Sequence, residues 1–173
     1  MRISPCTPQC VEQVGDFYDQ TVLYLTQTTN WPKWRYKFYP TTSSVEQNTK
    51  EGSQYVCWQG DKVVGAFVLN NDPQGDYSVG NWSKQLDDSQ FLVIHSFATH
   101  PSMYKQGIAT KMLNFCLELA QKQGKQAIRL DVVPTNLPAR AFYEKHGFVF
   151  VGEKDLKRHF DDIPTFCLYE YNF

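Results

Sequence analysis

No stretch of this 173-residue chain stays apolar for long; a helix spanning a bilayer needs about twenty such residues, so no membrane partner is expected. Neither sign of charge prevails. The 17 Lys and Arg against 18 Asp and Glu leave a formal net charge of -1, which speaks against nucleic acid, since a binder of phosphate backbone carries surplus Lys and Arg. The cysteines Cys6, Cys10, Cys57, Cys116 and Cys167 form no C-x-x-C pair and no spacing with histidine that suits zinc. No metal is expected, and reduced, mostly buried thiols are. The opening MRISPCTPQC has no charged region followed by an apolar run, so a cytoplasmic location is the expectation. Internal repeats, low-complexity tracts and the nucleotide loop G-x-x-x-x-G-K-S/T are all missing. Length and composition are those of one globular domain over residues 1–173.

What is present centres on FLVIHSFATHPSMYKQGIATKMLNFCL, Phe91 to Leu117. Phe91 to Ala98 is an apolar, β-branched and aromatic run that reads as a strand, whereas Met112, Leu113, Cys116, Leu119 and Ala120 recur at helical spacing. The period changes within one loop. His100 and Pro101 end the strand, and Gly107 permits a tight turn before the helix begins. The first amides of a helix have no internal acceptor and sit at the positive end of its dipole, so Gln106, Gly107, Ile108, Ala109 and Thr110 could cradle an anion such as phosphate. Glycine at a helix boundary serves capping equally well, so the turn alone leaves both readings open.

Along the chain, Arg2 to Ser4 suits a short strand, and Val11, Val14, Phe17, Tyr18, Val22 and Leu25 outline an amphipathic helix. The segment WPKWRYKFYPTTSS, bounded by Pro32 and Pro40, reads as a loop, after which Ser43 or Ser44 would cap a short helix. Gln54 to Trp58 and Lys62 to Leu69, joined by QGD, predict a hairpin. NNDPQGDYSVGNWSKQLDDS has no periodicity and reads as a long loop, functional or mobile. Ala127 to Val133 predicts a strand with Ile128, Leu130 and Val132 on one face and Arg129 and Asp131 on the other. A helix capped by Thr135 or Asn136 comes next, then strands from Phe148 and from Pro164. The whole is an α/β sheet of six or seven strands.

Two segments carry a family resemblance. FATHP followed by YKQGIA resembles the turn Q/R-x-x-G-x-G/A of the GNAT superfamily of acetyl-CoA-dependent N-acetyltransferases, and NLPARAFYEKHGF resembles its N-x-x-A-x-x-x-Y-E-K-x-G-F segment. The likeness covers Val63 to Gly152 well and the first third loosely. It departs at Tyr104, where the family usually has Arg or Gln. The resemblance implies the GNAT acyl-CoA N-acyltransferase fold: a mixed, mostly antiparallel sheet flanked by helices, with two central parallel strands splayed around the cofactor. It implies acetyl-CoA as co-substrate, bound by Phe97, Ala98 and Thr99 on the strand, by Lys105 and Gln106 to Thr110 in the turn, and by Asn136, Ala139 and Tyr143.

Acetyl transfer to an amine requires a proton taken from the amine, a polarised carbonyl and a proton for the thiolate. Tyr143 stands where the family's general acid usually sits; its alternative is to pack beneath the cofactor. Val93, His95 and Phe97 alternate onto one strand face, and His95 is the titratable member, suited to act as base directly or through water. A hydrogen-bonded structural histidine is the other reading. The aromatic segment with Trp31, Trp34 and Tyr39 reads as core packing, as an acceptor-binding wall, or least readily as a base-stacking surface. The expected activity is transfer from acetyl-CoA to a primary amine of a small molecule or peptide by direct attack in a ternary complex. A catalytically silent acyl-CoA-binding or regulatory module is the alternative, and a homodimer is left open.

Overall fold

The alternating and helical patterns resolve, in the computed structural model of residues 1–173, into seven strands and four helices. In order they are β1 (Arg2–Pro5), α1 (Val11–Gln27), α2 (Thr42–Lys50), β2 (Gln54–Gln59), β3 (Lys62–Asn70), β4 (Phe91–Thr99), α3 (Ile108–Lys122), β5 (Ala127–Val132), α4 (Leu137–Lys145), β6 (Val149–Lys154) and β7 (Phe166–Asn172). The sheet order is β1-β2-β3-β4-β5-β7-β6. β4 and β5 run parallel, Phe91 opposite Ala127 and Val93 opposite Arg129. The pairs β1–β2, β2–β3, β5–β7 and β6–β7 are antiparallel. This is the expected mixed seven-stranded sheet with flanking helices. No helix is long and apolar enough to cross a membrane.

The residues gather into two compact units. One comprises Met1–Asn30, Trp34–Asn70 and Ile94–Glu118. Its core joins Val14, Phe17 and Tyr18 of α1 to Val45, Val56, Trp58, Ala66 and Ala98. α1 contributes the three- and four-residue spacing read from the sequence. α1 and α2 approach closely at Gly15, where a Cβ would come within 2.2 Å of the Thr42 hydroxyl oxygen. The cap of α2 is Thr41 rather than Ser43 or Ser44: its hydroxyl accepts the Ser44 amide hydrogen, while Ser44 Oγ accepts that of Thr41. The reciprocal bonds place the cap one turn before Val45, the buried residue of this helix.

The other unit comprises Trp31–Lys33, Asn71–Val93 and Leu119–Phe173. Its long loop, which the sequence left without structure, is anchored by aromatic residues. Tyr77 and Trp82 are buried, and the Trp82 indole donates to the Tyr77 carbonyl at 2.6 Å. The guanidinium of Arg129 lies 4.3 Å from the ring centres of both Trp82 and Phe91, and donates to the Lys84 carbonyl at 2.8 Å. A buried cation between two aromatic faces exchanges hydration for ring quadrupoles. The second polar residue of β5, Asp131, accepts two bonds from Arg158 at 2.8 Å and one from the Tyr77 hydroxyl at 2.7 Å. Arg158 also donates to the carbonyls of Pro73 and Gln74. One guanidinium therefore ties the β6–β7 connection to the loop before β4.

The Arg158–Asp131 side chains are 15% and 9% exposed, so removal of one partner strands a charge in a poorly hydrated place. Asp131→Ala is expected to lower the unfolding free energy by about 3 kcal/mol in urea titration. An unchanged midpoint and slope would show that this pair does not hold the two loops.

Candidate active site

β4 delivers the chain to a sharp turn. After Thr99, His100 opens a single 3-10 turn (Pro101–Met103), its Nδ1 accepting the Ser102 amide hydrogen at 3.3 Å. Lys105 and Gly107 then take positive φ values, 63° and 76°, and α3 begins at Ile108. Glycine adopts that conformation without penalty, whereas a lysine does so at some cost. The bond from the Lys111 amide to the Gly107 carbonyl, 3.1 Å, belongs to the first helical turn. The amides of Gly107, Ile108 and Ala109 precede it, outside the helix's own ladder and at the positive end of the dipole.

A Cβ built on Gly107 would meet nothing within 4 Å. Lys105, Gln106 and Gly107 are exposed, Ala109 and Thr110 half-buried, and Ile108 is buried as the anchor. Gln106 returns its side-chain amide to the Ser102 carbonyl at 3.3 Å. Room, small residues and oriented amides suit this turn to an anion of diphosphate size. Tyr104 packs edge-on against Tyr24 of α1, ring centres 6.1 Å apart, and is spent on that contact.

In the strand before this turn, Ser96 has φ 48°, a left-handed residue inside an extended segment. It interrupts the two-residue alternation, so the shared face assigned to Val93, His95 and Phe97 holds only as far as His95. Such a backbone persists only when its surroundings hold it. Tyr18 of α1 donates its hydroxyl to the Ser96 carbonyl at 2.8 Å, and the Tyr39 hydroxyl meets Ser96 Oγ at 2.6 Å. Tyr18 is 1% exposed, and burial pushes its phenol well above the ordinary value, which keeps it a neutral donor.

His95 is half-buried beside this kink. Phe97 packs on Phe67 of β3 with ring centres 5.8 Å apart, Ala98 is buried in the core, and Thr99 is half-buried. Trp34 is edge-on to both Tyr18 and Tyr39, at 6.1 and 6.3 Å. Two of the proposed acceptor aromatics thus stand in one chain of rings that ends at Ser96. Trp31, half-buried, belongs to the other unit, where its neighbour Lys33 donates to the Asp162 carbonyl.

In that unit Asn136 caps α4, its Oδ1 accepting the Ala139 amide hydrogen at 3.3 Å. Tyr143 lies on the buried side of α4, 6% exposed, edge-on to Phe142 and Phe148 at 5.3 and 5.4 Å. Those rings fix the direction of its phenol. α4 is further held by Arg140, which donates to the Tyr169 hydroxyl at 3.1 Å, and by Tyr169, which donates to Glu144 at 2.7 Å. Burial pushes the Tyr169 phenol up to about 12.

The residues missed from sequence were Tyr18 and Ser96. Tyr18 was read for its place on the apolar stripe, and nothing in FLVIHSFAT marks Ser96 as left-handed. Tyr18→Phe removes the donor to a carbonyl in a buried setting and is expected to cost about 1 to 3 kcal/mol, the worth of one stranded acceptor. Chemical denaturation of both proteins checks it, and equal stabilities would mean that the kink needs no support from α1.

Residues 23–148 match the family model described as Acetyltransferase (GNAT) family. An uncharacterised N-acetyltransferase of Methanocaldococcus jannaschii is 25% identical over 125 residues, 72% of this chain and 48% of that protein. The chain spans about half the length of that relative. Among solved structures, a GNAT acetyltransferase from Listeria monocytogenes superposes with a TM-score of 0.75 at 16% identity, covering 99% of this chain and 94% of that one. A Salmonella typhimurium protein solved with its cofactor acetyl-CoA gives a TM-score of 0.68 at 16% identity, covering 99% and 93%.

Proposed function

Because the chain belongs to the GNAT acetyltransferase family, we propose that it is an acetyl-CoA-dependent N-acetyltransferase whose acceptor is a primary amine of a small molecule or peptide. On this reading residues 1–173 work as one domain, in the cytoplasm, and the amine attacks the thioester directly in a ternary complex. The observation that carries the proposal is the open, glycine-bearing start of α3, reached by one turn from a kinked strand.

Lys105 and the amides of Gln106 to Thr110 bind the diphosphate. The main chain of Phe97, Ala98 and Thr99 pairs with the pantetheine arm, and one of those amides polarises the thioester carbonyl as its oxygen gains charge. Asn136 and Ala139 contact the cofactor from the start of α4. His95 takes the proton of the amine, directly or through water. As the carbon–sulfur bond breaks, Tyr143 gives its hydroxyl proton to the departing thiolate; phenol and alkyl thiol have ordinary pKa values close enough for that transfer. Trp34 and Tyr39 line the acceptor side, with Trp31 assigned to the same task.

Two outcomes test this. Calorimetry is expected to give acetyl-CoA a far lower dissociation constant than ATP, and the reverse order would sink the reading. With thiol release followed over a panel of amines, Tyr143→Phe is expected to lower kcat on the order of a hundredfold while acetyl-CoA affinity stays within about twofold. A fully active variant would take Tyr143 out of the acid role.

A further inference from the structure

Two thiols that the acetyl-transfer chemistry leaves unused stand in contact. Cys6 Sγ and Cys10 Sγ are 2.9 Å apart, in the segment PCTPQC between β1 and α1. That gap needs to close by only about 0.9 Å to reach a disulfide bond length near 2.05 Å. It is also too narrow for a metal: two sulfurs each about 2.3 Å from one ion lie well over 3 Å from each other in tetrahedral or linear geometry. No third His, Cys, Asp or Glu joins them in a cluster.

The surroundings fix the pair. Pro5 and Pro8 stiffen the connection. The Cys6 amide donates to the Gln54 carbonyl at 2.8 Å, and the Cys10 amide to the Thr7 carbonyl at 3.0 Å. The Thr7 amide donates to Cys10 Sγ at 3.2 Å. The two sulfurs differ in access: Cys6 is 7% exposed within the core cluster, while Cys10 is half-buried at the start of α1.

We propose that Cys6 and Cys10 form an intramolecular oxidation site, closed to a disulfide by a peroxide and reopened by a small thiol. Cys10, the accessible sulfur, attacks hydrogen peroxide as thiolate, forming a sulfur–oxygen bond and releasing hydroxide. Cys6 then gives up its proton as its sulfur attacks the Cys10 sulfenic sulfur; the sulfur–sulfur bond forms, the sulfur–oxygen bond breaks, and the departing hydroxide takes that proton and leaves as water. In sum two thiols lose two hydrogens, and one peroxide becomes two waters. Burial and the neighbouring Cys10 push the Cys6 thiol up to about 12, which disfavours Cys6 as the sulfur that meets peroxide first. The bond would tie the end of β1 to the start of α1, the helix that carries Tyr18.

The tryptic segment from Ile3 to Lys33 contains these two cysteines and no other. After brief treatment of the folded protein with hydrogen peroxide, its mass without reduction is expected to fall by two hydrogens and to recover with dithiothreitol. The treated protein is expected to melt about 4–8 °C higher, the effect of closing a short loop in a chain of this size. Cys10→Ser, at a half-buried position outside the acetyl-transfer machinery, is expected to fold, to show neither change, and to leave Cys6 reduced. The proposal is overturned if the segment gains oxygen on Cys10 without losing two hydrogens, if the protein instead forms disulfides between chains, or if both thiols stay unmodified. None of these readings depends on acetyl-CoA.

Discussion

One hydrogen bond, from the Tyr18 hydroxyl to the Ser96 carbonyl, is the constraint on which the arrangement of this site depends. A strand of nine residues would by itself continue its alternation and spend its amides on neighbouring strands. A left-handed residue in its second half re-aims Phe97, Ala98 and Thr99, and left-handed serine needs an external restraint. The restraint comes from a buried ring on α1, which is why the first helix belongs to the site although it lies far from it in sequence. Tyr39 meets the same residue from the side-chain end, so both handles of Ser96 are occupied.

From the kink the chain runs forward through Thr99 to the turn at Lys105 and Gly107. Positive φ at both residues points the chain into α3 with its first amides presented together. The space beside Gly107 leaves them open to a ligand of phosphate size. In the other unit the same economy appears with different parts. The rings of Phe142 and Phe148 fix Tyr143, Asn136 starts its helix, and Arg140 and Tyr169 bind that helix to β7. Arg158 and Arg129 hold the surrounding loops by charge and by ring contacts rather than by regular structure.

Much of this was legible in the sequence where the signal is local. The change from strand to helical spacing around Gly107, the cap at Asn136, the hairpin at Gln59 to Lys62 and the apolar stripe of α1 all rest on residues close along the chain. What escaped depends on distant partners. Ser96 carries no glycine to announce its backbone, and its restraint lies 78 residues away. The loop before β4 looked featureless because Tyr77 and Trp82 sit singly among polar residues, and their partner Arg129 seemed to belong to a polar strand face. The Thr41 cap was misread by two or three residues because Thr41, Thr42, Ser43 and Ser44 all have capping side chains, and the choice among them is made by the burial of Val45.

The central claim is that main-chain hydrogens of the kinked strand and of the α3 turn grip acetyl-CoA. Titration of the nitrogen-15-labelled protein with acetyl-CoA, read as amide chemical shifts, tests it most directly. The account predicts saturable shifts at Gly107, Ile108 and Ala109 together with Phe97, Ala98 and Thr99, all with one dissociation constant. Saturable binding that leaves these amides unmoved and shifts a different set would contradict it.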